Sequence, residues 1–453
     1  MKRISFITLG CNKNLVDSEV ALGNLLVHGY NCIVPPEEAE WVFLNTCAFI
    51  RPSCEEAEAW IEKLIALKRK DPRKKIVVLG CYVERFREKA FSRYQEVDYW
   101  VGVHDVLRLP EILSSKRKGV FMDSPPSIYT HQSPRLLSTP PHYAYVKIAE
   151  GCPHRCSFCL IPSIRGPLRS RSIDSVVAEV RSLQERGVQE IILVAQDLTS
   201  YGLDLYRKRS LPDLLRALAL ELQEGIWVRL LYLSPEGIND ELIEVVASIP
   251  QIVKYLDIPL QHVEPFILQR MHRFSHFEEI RKRLEKLRER IPGVAIRTTF
   301  IVGFPGEEEK HFQSLLHFVE EFQFERMGAF KYSDEEGTAS FLLKPKVPEE
   351  VKEKRYSYLM EVQKNVMERF HQSLQGKVLE VLLEEGPLKD AQGTFFIGRT
   401  QKDAPEVDCQ VKVYLSRGKR GSLKRGRKCY VRVTRTSAYE VEGEALCMQE
   451  SSV

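Results

Sequence analysis

The chain has 453 residues, 43% of them hydrophobic and 28% charged, with a formal net charge of +4. That length is too great for one compact core and points to two or three domains, while the ordinary composition excludes a disordered or low-complexity chain. The small charge excess does not by itself declare a nucleic-acid partner. No run approaches the ~18 apolar residues of a membrane span and no small-residue cleavage site follows the first apolar run, so a cytoplasmic protein with no membrane association is expected.

The first segment repeats one plan. ISFITLGC (4–11), WVFLNTC (41–47) and KIVVLGC (75–81) are apolar runs of strand length that each end in cysteine. Stretches with helical spacing follow them, at 16–27, 55–70 and 84–90. Strand then helix, three times over, predicts a parallel sheet, and ligands bind such sheets along the carboxyl ends of the strands. Cys11, Cys47 and Cys81 are therefore expected to converge. The chain has eleven cysteines, an odd count without a secretory signal, which argues against a disulfide framework and leaves core, metal-ligand or catalytic roles. Cys32 and Cys54 lack the strand-end placement and read as structural. Three thiolates at one sheet edge suit a soft metal centre, either zinc or an iron–sulfur cluster with one iron left open.

The next constellation is tighter. YVKIAEGCPHRCSFCLIPSIRG (145–166) carries Cys152, Cys156 and Cys159 in a CxxxCxxC spacing just past a predicted strand, YAYVKIA. A zinc knuckle with His154 as fourth ligand is one reading, but zinc sites usually pair two hooks across a longer loop and no second hook lies nearby. The other reading is a cubane cluster held by three of its irons. Strand-like runs then recur at 191–195, 227–233, 255–260, 295–302 and 326–332, separated by helical stretches such as DSVVAEVRSLQERG and FEEIRKRLEKLRER. With YAYVKIA these make six strand–helix units, a parallel sheet or α/β barrel with its active site at the strands' carboxyl ends. VAQDLTSYG, LSPEG, DIPLQH and IVGFPGE occupy those ends. Gln196, Asp197, Asp257, Gln261, Gly303 and Gly306 are the resulting candidates for cofactor contact, although GFPGE also reads as a plain turn into the next helix. His154 and His262 are read as ordinary polar residues.

A helical stretch at 348–374 leads into short alternating strands (KVLEVLLEE, GTFFIGRT, CQVKVYL, CYVRVTRT, YEVEGEAL) that predict a small five-stranded OB-like β-barrel. Between two of them, RGKRGSLKRGRK (417–428) holds seven Lys or Arg, either a solvated hairpin tip or a patch for RNA.

The triplet at Cys152, Cys156 and Cys159, with Phe158 before its third cysteine, resembles the radical S-adenosylmethionine superfamily. Joined to the upstream cysteines and to a C-terminal segment like the TRAM module, the whole chain resembles the methylthiotransferases. The resemblance implies an α/β architecture of three parts: an N-terminal parallel-sheet domain over 1–117, a radical core with a partial (β/α)6 barrel over 138–374, and a TRAM barrel over 375–446. It also implies two [4Fe-4S] clusters, with Cys11, Cys47 and Cys81 as ligands of the sulfur-bearing one. Cys152, Cys156 and Cys159 would ligate and serve the catalytic one, which reduces S-adenosylmethionine to methionine and a 5′-deoxyadenosyl radical. Phe158 joins the residues expected at the cofactor.

Some family members modify an adenosine in transfer RNA; those of the RimO type modify an aspartate on the twelfth protein of the small ribosomal subunit. LGCNKNLVDSE, NTCAFI, AQDLTSYG, YLDIPLQH and GRTQKDAPEVD look like the RimO type. Transfer-RNA enzymes tend instead to have methionine where Lys13 stands and asparagine where Asp197 stands. The RimO type often has proline after the first cysteine, where this chain has Asn12. The expected partners are the ribosomal protein, an electron donor, and ribosomal RNA through the TRAM segment. Asp403, Glu406 and Asp408 read as an acidic surface for a basic ribosomal protein. The alternatives are the transfer-RNA reaction and a non-catalytic zinc- and RNA-binding protein.

Overall fold

The computed structural model describes residues 2–30, 32–122, 124–273, 276–415 and 423–446. Its first unit is a six-stranded sheet of β1 (Arg3–Thr8), β2 (Cys32–Ile33), β3 (Trp41–Thr46), β4 (Lys75–Gly80), β5 (Tyr99–Val101) and β6 (Gly119–Phe121). The order is β2-β1-β3-β4-β5-β6, and every pairing is parallel. The strand order reverses between β1 and β3, which is where open parallel sheets hold their ligands. Apolar runs long enough to read by eye account for β1, β3 and β4. The edge strands β2, β5 and β6 have two or three residues each, too few to carry a period.

The central unit is an open sheet of six parallel strands. These are β7 (Tyr143–Lys147), β10 (Glu190–Val194), β11 (Trp227–Leu230), β12 (Ile252–Asp257), β13 (Ala295–Val302) and β14 (Arg326–Lys331), laid side by side in chain order. Helices return between them, and the apolar faces of Ile173–Glu185, Leu211–Glu221 and Phe277–Arg290 close the main core. The predicted strand YAYVKIA is interrupted. After β7, Ile148 accepts from Arg171, and β8 (Ala149–Glu150) leaves the sheet to pair antiparallel with β9 (Arg169–Ser170). That detour delivers the chain into the cysteine loop.

The third unit is a closed barrel of β15 (Val378–Asp390), β16 (Gly393–Thr400), β17 (Gln410–Tyr414), β18 (Lys428–Thr436) and β19 (Glu440–Ala445), in the order β15-β16-β17-β19-β18. Alternate side chains such as Val381, Leu383, Val431 and Val433 fill it, as period two requires. The barrel docks near the amino ends of the central strands. Glu190 of β10 is held between Arg229 and Arg399 at 2.6 Å each, all fully buried.

The acidic stretch at 403–408 lies in this junction, and the expectation of an acidic docking surface is corrected. Asp403 pairs with Arg326, Glu406 accepts from the Tyr143 hydroxyl at 3.1 Å, and Asp408 accepts from Tyr255 at 2.7 Å. Asp403 and Asp408 are consumed in fastening the barrel to the core, and Glu406, although exposed, is tied to the same junction. Of the basic stretch, residues 417–422 lie outside the described residues. Lys428 caps the Trp227 ring at 4.2 Å and is a fastening too. Among the described residues no helix is long and apolar enough to cross a membrane.

Candidate active site

The β3–β4 register pairs Thr46 with Gly80, so the next residues, Cys47 and Cys81, leave the sheet side by side. The β1–β3 register pairs Thr8 with Asn45 and brings Gly10–Cys11 to the same edge. A methyl group on Gly10, whose φ is +86°, would lie 2.5 Å from Cys47 Cβ, which places the first loop directly on the second. Cys11 is the N-cap of the helix Asn12–Val27 and Cys81 opens the helix Cys81–Phe86. Two of the three thiols therefore sit at helix amino ends, where the dipole favours an anion. Burial would push the Cys11 thiol up, but the charges of Lys13 and Arg165 hold it below its usual range. Burial pushes Cys81 up to about 12 although Arg165 opposes it; a metal would have to displace that proton. Cys54 is buried in the first turn of the helix Arg51–Lys70, where Arg85 donates to its sulfur at 3.5 Å, and Cys32 lies on the edge strand β2.

The helix after Cys11 begins four residues earlier than its apolar spacing suggests, and Asn12 is its first residue. Proline is favoured at that position because its missing N–H is not needed there. Asn12 fits equally, and its side-chain amide donates to the Tyr232 hydroxyl at 3.1 Å.

The CxxxCxxC loop is pinned from several sides. Cys152 N–H donates to Gly166, Ser157 bonds the end of the helix Pro265–Arg270 through both its backbone and its hydroxyl, and Ser340 N–H donates to Ser157. Donors point at the sulfurs: Ile161 N–H lies 3.4 Å from Cys159 Sγ and Arg273 Nη1 3.8 Å from Cys156 Sγ. Burial pushes Cys152 up to about 11 and Cys159 up to about 12. N–H groups aimed at sulfur suit thiolates carrying an anionic cluster, so the donor set fits such a group. His154 does not belong to the thiol set. Its Nε2 lies 2.8 Å from Asp197 Oδ2, and among the described residues no three His, Cys, Asp or Glu are grouped to hold one metal ion.

A buried ionic network joins the N-terminal unit to the segments flanking the CxxxCxxC loop, and sequence reasoning missed it. Arg165, at the end of the helix Ile161–Arg165, donates to Cys81 Sγ at 3.2 Å, Asn14 Oδ1 at 3.1 Å, Asp17 at 2.6 Å and Glu150 at 3.3 Å. Lys147 bridges the same two carboxylates, and Gln196 donates to Glu150 at 2.6 Å. Burial opposes the Glu150 carboxylate, but Lys147 and Arg165 hold it far below the usual range. The N-terminal unit is fastened again by Arg85 to Glu335 at 2.6 Å and by Arg135 to Glu19 at 2.5 Å.

The remaining predicted residues fall around the same strand ends. Asp197 is buried and accepts from Thr199, Ser200, Ser234 and His154, so the histidine first read as ordinary positions it. Burial raises the Asp257 carboxyl against the pull of Arg297, and Asp257 accepts from Tyr232 N–H at 3.2 Å. Gln261 has φ +72° and bridges β13 with its backbone. Phe158 meets Phe304 edge-on at 6.5 Å. Glu307 closes the GFPGE turn by accepting from Gly303 and Phe304 N–H, while Arg355 and His262, 2.8 and 3.6 Å away, face it. His262 is thus a buried partner of that turn. Gly306 N–H donates to Pro345.

Comparison with known proteins agrees with this arrangement. Residues 146–319 match the radical SAM superfamily, 3–102 match Uncharacterized protein family UPF0004, and 376–446 match the TRAM domain. The chain is 42% identical to a ribosomal protein uS12 methylthiotransferase RimO of Heliobacterium modesticaldum over 98% of this chain and 95% of that one. It is 40% identical to the protein of the same name from Dictyoglomus thermophilum, over 98% and 100%. Among solved structures, the radical S-adenosylmethionine methyltransferase TsrM of Kitasatospora setae shares the fold with a TM-score of 0.55 at 14% identity, covering 73% of each chain. The two cysteine triplets, the three-part order and these full-length likenesses show that the chain belongs to the RimO family of radical S-adenosylmethionine methylthiotransferases, enzymes that use [4Fe-4S] clusters and S-adenosylmethionine.

Proposed function

We propose that the enzyme adds a methylthio group to the β-carbon of an aspartate in ribosomal protein uS12. The carrying observation is that Arg165, which follows the CxxxCxxC segment, reaches across to Cys81 of the N-terminal unit and to Glu150, two residues before Cys152. When bound, the clusters and S-adenosylmethionine supply the electron, the radical and the sulfur that no side chain provides. Cys152, Cys156 and Cys159 hold the catalytic cluster, and Cys11, Cys47 and Cys81 the sulfur-bearing one. The chain's own groups hold and orient. Arg273 and the Ile161 N–H neutralise the Cys156 and Cys159 sulfurs, and Arg165 neutralises Cys81. Phe158, Gln196, Asp257 and Gln261 line the cofactor, Asp197 acts through His154, and Gly303 and Gly306 shape the turn beside it.

The N-terminal unit and the central unit together exclude water from the Arg165 network, which strengthens its charges. Ribosomal RNA contact through the TRAM barrel, an external electron donor and a cytoplasmic location complete the reading. The test is incubation of reduced, cluster-loaded enzyme with S-adenosylmethionine and either uS12 or transfer RNA. A methylthio mass gain on the aspartate peptide is expected. A gain on transfer-RNA adenosine alone would replace the reading, and colourless protein with stoichiometric zinc would end it.

A further inference from the structure

Tyr232 lies just past β11 and touches both cysteine sites through short paths. On one side its ring carries the Lys13 ammonium at 3.4 Å and its hydroxyl meets Asn12, the two residues that follow Cys11. On the other side, Ser234 N–H donates to Asp197, whose carboxylate holds His154 of the CxxxCxxC loop. Tyr232 adopts φ +68°, a region that bulky residues avoid. Its N–H is held by Asp257 and its carbonyl by Leu198 N–H, and this clamp turns the ring toward Lys13. Strain kept at such a place is a pointer to function.

The other cations here are occupied. Arg165 and Lys147 hold Asp17 and Glu150, and Arg297 holds Asp257 with Asp408 beside it. Lys13 faces the Tyr232 ring and the Cys11 sulfur, and among the described residues no carboxylate pairs with it. It is a cation half-withdrawn from water, held on an aromatic face two residues after Cys11, with its charge uncommitted to any protein carboxylate among the described residues. One bond from the β-carbon of an aspartate is its carboxylate; an adenine offers no such charge.

We infer that Lys13 binds the side-chain carboxylate of the substrate and sets the preference for an acidic side chain over a nucleobase. This rests on the uS12 reading above. Asn12 and Tyr232 are positioning residues that fix where the ammonium stands. The experiment uses the full-length, cluster-loaded enzyme and two labelled peptides, one with the target aspartate and one with asparagine in its place. Binding is read by fluorescence anisotropy and modification by mass spectrometry. The wild type is expected to favour the aspartate peptide by about 10- to 100-fold, the worth of one charge-assisted hydrogen bond.

Lys13→Met should erase that preference by weakening only the aspartate peptide, and Lys13→Arg should restore most of it. Iron content and the cluster spectrum of each variant are measured alongside. An undiminished preference in Lys13→Met overturns the inference, as does equal weakening of both peptides or a wild type that binds both alike. Should the wild type modify neither peptide, the uS12 reading fails first, and the two failures are told apart.

Discussion

The two cysteine triplets teach different lessons about how a site is built. Cys152, Cys156 and Cys159 stand within one loop, and the loop is held locally by Ser157 and by backbone bonds to Gly166 and Ser340. Cys11, Cys47 and Cys81 come from three strand ends, and their meeting depends on the register of a whole sheet. The first is a property of a segment, the second of a fold. Damage to the sheet should therefore strike one triplet and spare the other.

The strongest break in that comparison is ligand removal. Cys156→Ala should abolish S-adenosylmethionine cleavage, because the local triplet would be incomplete. Cys47→Ala should retain part of the cleavage and lose sulfur transfer. Deoxyadenosine release and methylthio product, measured on the same samples, separate the two; normal transfer by the Cys47 variant would refute the assignment. Next comes Gly10→Ala. A side chain at φ +86° costs about 1–2 kcal/mol in backbone strain, and the new methyl would press on Cys47. Iron should fall from about eight to about four per chain as one cubane is lost, with the spectrum of the Cys152 cluster unchanged.

These differences explain what the sequence made visible. The CxxxCxxC triplet reads directly because its geometry is local. The dispersed triplet reads because each cysteine closes an apolar run, a signal that survives long separation. The Arg165 network does not read at all: Arg165 and Asp17 stand 148 positions apart, and nothing in the intervening sequence couples them. His154 looked ordinary for the same reason, since its partner Asp197 lies 43 positions away. The acids at 403–408 misled in the opposite sense. They have the composition of a surface loop, and only docking on Arg326 and Tyr255 reveals Asp403 and Asp408 as an internal fastening, with Glu406 bonded to Tyr143 at its rim.

The link between the triplets offers a finer test. Arg165→Leu leaves Lys147 as the one cation bridging Asp17 and Glu150 and removes the donor to Cys81. Loss of one partner from a buried ionic set costs about 3–5 kcal/mol, and loss of a hydrogen bond to a metal ligand costs about 10- to 100-fold in affinity or activity. Thermal unfolding and iron retention under a chelator should both report the change, with the Cys11 set releasing iron before the Cys152 set. Arg165→Lys, which keeps the charge without the fork, should fall between. Equal release from both sets would show that the network holds the domains and not the dispersed triplet.

The least effect on either triplet is expected from Glu190→Gln, far from both, at the junction with the TRAM barrel. Burial alone would raise the Glu190 carboxyl, but Arg229 and Arg399 hold it at about 2, against ~4.3 in an unfolded chain. A depressed carboxyl lends stability that is present in full above its unfolded value and is lost as pH falls toward the folded one. The wild type should therefore lose stability between about pH 4.3 and pH 2 in part through this group. Glu190→Gln should start lower at neutral pH, because Arg229 and Arg399 lose their shared anion, and should show a shallower fall across that window. Iron content at neutral pH should match the wild type. An unaltered acid slope would mean that Arg399 is satisfied by Glu384, 2.7 Å away, and that the junction draws its pH sensitivity from Asp403, which Arg326 holds below the usual carboxylate range against its burial, instead.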